Sequence, residues 1–206
     1  MPTLPQWREV WKHLSLKTAD ESLFDKLLAC YREPHRRYHT LQHLTECLTN
    51  FSEIRAYAEF PAEIEIALWF HDAIYATARK DNEVKSAEWA RTSVLAAQLP
   101  LAVAERVYSL VMATRHSAIP RSTDAKIIVD VDLWILGAEP ARFTQYEQQI
   151  RQEYVQIPEL LFRHERKKLL QEFLKRPRIF NTDLFLERYE AQARSNLTGS
   201  LQQLHA

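Results

Sequence analysis

Glycine is nearly missing from these 206 residues: Gly137 and Gly199 are the only two. Tight hairpins and phosphate-cradling loops draw on glycine for left-handed or sterically open backbone. Sandwiches, Rossmann folds and P-loops are therefore all disfavoured. Cysteine is as scarce. Cys30 and Cys47 form neither a CxxC pair nor a disulfide framework, which fits a reducing cytosol and a cytoplasmic location. Neither sign of charge is in excess, with 27 basic and 27 acidic residues and a formal net charge of zero. No global basic field recommends a nucleic-acid partner, and there is no acidic tail. No apolar run approaches the roughly 20 residues of a membrane span. The opening MPTLPQWREVW lacks a basic region followed by an apolar core, so neither a signal peptide nor a membrane partner is expected.

What remains is helical. Apolar residues make up 46% of the chain, enough for a substantial core. Leu23, Phe24, Leu27, Leu28 and Tyr31 fall on one helical face, as do Leu41, Leu44, Leu48 and Phe51, and Val103, Val107, Leu110 and Val111. Thr18 followed by Glu21 has the form of a capping box. Pro61 suits a first helical position, with Glu63 and Glu65 favourably placed against the helix dipole. Pro34, Pro100, Pro120, Pro140, Pro158 and Pro177 mark breaks or starts. The pattern predicts helices near 5–14, 19–32, 39–58, 61–75, 81–98, 101–115, 123–137, 140–154, 158–175 and 183–204. The expected fold is one all-α domain over 1–206, its last helices packed as an extension.

Three segments carry chemistry. In IEIALWFHDAIY, residues 64–75, an almost wholly apolar helix runs into His71 and Asp72. Burying an ionised aspartate costs several kcal/mol unless a positive partner compensates it, and a metal ion is one such partner. In YHTLQHL, residues 38–44, His39 and His43 are spaced i, i+4, which stacks two imidazoles on one helix face. In IIVDVDLWIL, residues 127–136, Asp130 and Asp132 interrupt an apolar run. They are roughly 200° apart around a helix, so at least one points inward and needs a partner. Asp81 is an N-cap candidate, Glu83 a general acid/base candidate, and His116 a further ligand or phosphate-binding group. Arg163, Arg166, Lys167, Arg176 and Arg178 form a basic C-terminal region, from which one or two could clamp a phosphate.

Taken in order, a histidine, an HD pair, a downstream histidine and a late aspartate resemble the HD superfamily of metal-dependent phosphohydrolases. The closest resemblance is to a bacterial subfamily of predicted HD phosphohydrolases. Its motifs match here as Tyr38-His39-Thr40 with His43, Phe70-His71-Asp72 with Tyr75, Asn82-Glu83 with Ser86-Ala87, and Asp130-Val131-Asp132-Leu133 with Ile135-Leu136-Gly137. RPRIF at 176–180 and ARSNL at 193–197 also look like that group. The resemblance implies an HD-domain helical bundle, with a metal-binding core at about 35–138 and a C-terminal helical extension at about 139–206. It implies His43, His71, Asp72 and Asp132 as metal ligands. His39 is the alternative to His43, and Asp130 the alternative to Asp132. His43 is preferred for its distance to the HD pair, and Asp132 for the core residues around its helical face.

The resemblance further implies one divalent ion (Mn, Co, Ni, Fe, Mg or Zn), with His116 and His39 permitting a second. The small phosphorylated substrate would be a nucleotide or related phosphoester. Asp72, Glu83 and His116 are then the candidate catalytic residues, and His39, Arg163 and Arg166 the candidate substrate-binding ones. Where some nucleotidases of the superfamily carry a glutamate three residues after the HD aspartate, this chain has Tyr75. Two other functions suit the same motifs: a di-iron oxygenase on the HD fold, and a non-catalytic nucleotide-binding or interaction module.

Overall fold

A computed structural model describes residues 1–16 and 18–205, excepting the side chain of His205. Among these residues there are ten α-helices and no strand. They are α1 (Leu4–His13), α2 (Glu21–Cys30), α3 (Leu41–Ile54), α4 (Pro61–Phe70), α5 (Asn82–Ala96), α6 (Leu101–Ala113), α7 (Thr123–Leu133), α8 (Pro140–Glu153), α9 (Glu159–Lys175) and α10 (Asp183–His205). Short 3₁₀ turns follow α3 and α7, at Arg55–Tyr57 and Trp134–Gly137. Among the described residues, no helix is long and apolar enough to cross a membrane.

The helix that is apolar nearly all round is the one at the centre. α4 packs against α1, α3, α5, α6 and α7, and Ala62, Glu63, Ile64 and Ile66 to Phe70 are all buried. Pro61 opens it, as expected. Glu63 does more than face the dipole: its carboxylate accepts two 2.7 Å hydrogen bonds from Arg106 of α6. The amphipathic faces of α2, α3 and α6 turn toward this core, burying Leu27, Leu44, Phe51, Val107 and Val111. α10 lies along the 3₁₀ turn after α7 and along α9. Gly137 permits that approach, because a Cβ there would stand 2.6 Å from Cβ of Tyr189.

Three local expectations need correction. Asp20, not Thr18, caps α2: its carboxylate accepts the Leu23 N–H at 3.1 Å and the Ser22 hydroxyl at 2.7 Å. A charged oxygen next to the helix start outcompetes a more distant hydroxyl. Second, α3 starts at Leu41 behind the N-cap Thr40, so His39 precedes the helix that carries His43. The N–H groups of Arg37, Tyr38 and His39 are instead taken by one carboxylate, that of Glu153. Third, α4 ends at Phe70 rather than near 75. His71 is its C-cap, and Asp72 lies in the turn beyond it.

Candidate metal centre

The turn that carries the HD pair is held from three sides. Arg36, fully buried along its side chain, donates to the carbonyls of Asp72 (2.6 Å) and Ala73 (3.0 Å). These carbonyls lie just past the end of α4, where the helix no longer supplies donors. Ser86 accepts the N–H of Ile74 at 3.0 Å, and the Asn82 side chain pairs with both the N–H and the carbonyl of Ala76. The Asn82–Ser86 motif at the start of α5 thus clamps the loop after the HD pair. Glu83, between them, is half-buried and makes no hydrogen bond or ion pair with the described residues.

Four side chains from three elements converge. His43 comes from the first turn of α3, His71 and Asp72 from the exit of α4, and Asp132 from the last turn of α7. Nε2 of His43 is 3.0 Å from Nε2 of His71, 3.3 Å from Oδ2 of Asp72 and 3.2 Å from Oδ1 of Asp132. Nε2 of His71 is 3.1 Å from Asp72 and 3.5 Å from Asp132. Nitrogen and oxygen donors surrounding one ion at 2.0–2.2 Å stand roughly this far apart. The carbonyl of Leu68, 2.7 Å from Nδ1 of His71, takes the Nδ1 proton and leaves the Nε2 lone pair facing the cluster.

Cys47, one helical turn beyond His43, belongs to the same group. His43, Cys47, His71 and Asp132 each offer a donor atom within 4.8 Å of the others, a cluster able to chelate a divalent metal ion. Sγ is 3.7 Å from both ring nitrogens of His43. Equal distances set the sulfur over the ring face, since an in-plane position would drive it into Cε1. The oxygen of Asp72 is closer to the imidazole nitrogens than this sulfur is.

Electrostatics favours a cation. Burial works against charge on all four groups, yet His43 is held well above the ordinary histidine range by Cys47, Asp132 and Asp72. His71 is raised likewise, chiefly by Asp72. Asp72 is held well below the carboxylate range chiefly by His71, and Asp132 by His116 ahead of His43 and His71. Two imidazolium N–H groups cannot point at each other across 3.0 Å, so the histidine pair cannot supply all the positive charge that the carboxylates draw. Oδ2 of Asp72 is buried with no hydrogen-bond partner. A metal ion among these atoms satisfies both requirements. The imidazoles are buried, whereas the side chains of Asp72 and Asp132 keep 16% and 13% of their exposure.

The remaining sequence candidates fall around this cluster or away from it. His116, with φ of 55°, donates from Nε2 to the other oxygen of Asp132 at 2.9 Å. Asp130 points elsewhere: its carboxylate accepts hydrogen bonds of 2.7–2.9 Å from the backbone and side chains of Asn181 and Thr182, just before α10. His39 binds Glu153 through Nδ1 at 2.8 Å and stacks on Tyr75, their centroids 4.1 Å apart. Arg166 is buried, paired with Glu147, and lies over the Tyr146 ring. Arg163 donates to the carbonyl of Leu204 at 2.7 Å. His39 and Arg166 line a common cavity of about 510 Å³ between α8 and α9, and Arg163 does not.

Sequence reasoning passed over Glu153 and Arg36. Glu153 collects three consecutive backbone N–H groups, His39 and the Tyr75 hydroxyl. These hold its carboxyl near 2 despite burial. An acid in the last turn of α8 gives no local signal of this, because every partner lies more than 70 residues away. Arg36, in the EPHRRYH run, is spaced like any solvated arginine. No family model, no curated protein and no solved structure matches this chain.

Proposed function

We propose that this chain is a metal-dependent phosphohydrolase of the HD type, acting in the cytoplasm on a nucleotide or related small phosphoester. The observation that carries the reading is the convergence of two imidazole nitrogens, 3.0 Å apart, each within 3.5 Å of one oxygen of Asp72 and one of Asp132. In this reading His43, His71, Asp72 and Asp132 hold the metal. The chain is one HD-type domain, with a metal-binding core at about 35–138 and an extension at about 139–206.

A divalent ion bound there supplies charge neutralisation to phosphoryl oxygens and acidifies a water. The protein groups do the positioning. Asp72 orients the attacking water. His116, hydrogen-bonded to Asp132, is the proposed acid that returns a proton to the departing oxygen, and Glu83 at the start of α5 is the second candidate for that task. His39, steadied by Glu153, faces the substrate, and Arg166 lines the cavity beside it. Arg163, engaged by α10, is the outermost of the proposed substrate contacts.

The test is phosphate release from a panel of nucleotides and phosphoesters with Mn²⁺, Co²⁺ or Mg²⁺, for wild type and Asp72→Ala. The expected outcome is metal-dependent turnover that the substitution abolishes. Retained metal with no release from any substrate overturns the reading. Iron content together with O₂ consumption would move the assignment to an oxygenase.

A further inference from the structure

The cavity between α8 and α9 lies beside the candidate metal centre and has a different chemistry. Two chains of contact join them. His39 lines the cavity, and its ring lies 5.8 Å from that of His43. Tyr146 also lines it and packs edge-on against Tyr38 at 4.6 Å, which in turn lies 4.8 Å from His43. At about 510 Å³ the cavity falls in the size range of small-molecule sites. Its walls are aromatic and aliphatic, with Tyr146, Ile150, Tyr154, Ile157, Leu161 and Phe162 among them.

Its polar content is small and mostly spent. The charge of Arg166 is matched by Glu147, so this arginine does not present a bare cation to a phosphate. The Nε of Arg166 is buried without a hydrogen-bond partner. Glu165 also lines the cavity, but its side chain is largely exposed, so the charge sits at the solvent edge and the inner walls are apolar. A purine or pyrimidine would bring several donors and acceptors into this space, and leaving them unpaired is costly. A hydrocarbon or simple aromatic group loses nothing there and gains its transfer free energy.

We propose that this cavity is the leaving-group subsite, and that it takes a substrate whose alcohol carries an apolar, preferably aromatic, group. The phosphoryl end then lies at the metal centre, with His39 at the junction. The inference rests on the hydrolase reading for what happens to the phosphoryl group, but the cavity's selectivity can be measured without turnover.

The test compares 2-(1-naphthyl)ethyl phosphate with ethyl phosphate on the metal-loaded protein. Both release a primary alkoxide, so their intrinsic reactivities match and only the ring differs. The expected preference in kcat/KM for the naphthyl ester is roughly 10- to 100-fold, from the apolar area it buries. Adenosine 5′-monophosphate is the polar-ring comparison and is expected to trail the naphthyl ester. Leu161→Trp, at a half-exposed position on the cavity rim, is expected to reduce the naphthyl-to-ethyl ratio at least fivefold. Leu101→Trp, an exposed position on α6, leaves the ratio as it was. In parallel, calorimetric titration with 2-(1-naphthyl)ethanol should show saturable binding that Leu161→Trp weakens.

Phosphate release with equal rates for the two esters and no binding of the alcohol overturns the inference and leaves the hydrolase reading intact. A preference for adenosine 5′-monophosphate over the naphthyl ester overturns the apolar class. If no ester is hydrolysed but the alcohol binds and Leu161→Trp weakens it, the cavity assignment stands and the hydrolase reading falls. If the alcohol does not bind and Leu161→Trp instead changes the sedimentation coefficient, the surface is an interface between copies of the chain and the inference fails.

Discussion

Replacing Glu153 by glutamine should cost this protein about 3 kcal/mol at neutral pH, and the cost should fade in acid. The carboxylate has no exposed side-chain surface and accepts five hydrogen bonds of 2.7–3.0 Å, from three successive N–H groups, His39 and Tyr75. Burial alone would push its carboxyl up. The bond to His39 leads the opposing effects, and together they bring it from 4.5 to about 2. That displacement corresponds to about 3 kcal/mol favouring the ionised form in the folded protein. Because the folded value is depressed, the stabilisation is complete above about 4.5 and is lost as pH falls toward 2. Glutamine keeps one acceptor but turns an N–H₂ toward groups that are themselves donors. The assay is urea unfolding of wild type and Glu153→Gln at a series of pH values from 7 down to 3. In a companion thermal unfolding at neutral pH, the melting temperature should drop by roughly 6–12 °C for a domain of this size. A gap between the two proteins that stays constant across the series would refute the reasoning, since it would show that the loss is one of packing and not of charge.

Three further outcomes follow from the same geometry. Asp130→Ala should destabilise the fold by about 3 kcal/mol, by orphaning the part-buried donors of Asn181 and Thr182, while leaving Mn²⁺ affinity near wild type; Asp132→Ala should do the reverse, and calorimetric titration of both variants with Mn²⁺ separates them. Gly137→Ala should cost about 1–3 kcal/mol, because the new methyl meets the Tyr189 backbone and Cβ within 3.2 Å; an unchanged denaturation midpoint would show that α10 can shift away. Saturating Mn²⁺ or Co²⁺ at about 100 times its dissociation constant should add about 2.7 kcal/mol of stability, seen as a higher melting temperature that a chelator reverses and that His71→Ala does not show.

All-helical architecture was legible without coordinates, because scarcity of glycine and a 3.6-residue apolar period are local properties of the chain. Burial of α4 was equally legible from its nearly all-apolar surface. The inward turn of at least one of Asp130 and Asp132 followed from their angular separation alone. What the sequence left open was the choice within each pair, and long-range partners made that choice. Asp130 is taken by the residues before α10 and Asp132 by the histidine cluster. His39 is drawn out of α3 by a glutamate 114 residues away, while His43 stays in the helix and meets His71.

The ends of helices were the least legible feature, since they depend on what satisfies the terminal backbone groups. Periodicity carried α4 through the HD pair, but Arg36, Ser86 and Asn82 provide partners for the turn that follows it. The cavity between α8 and α9 likewise emerges only when distant segments meet, whereas the placement of Cys47 one turn from His43 is local to α3. Sequence by itself determined the helices, the buried core and the kind of chemistry available, because composition and period act on neighbouring residues. Tertiary structure alone decided which carboxylate and which imidazole face the centre, because a buried charge settles where its partners are, however far away in the chain they lie.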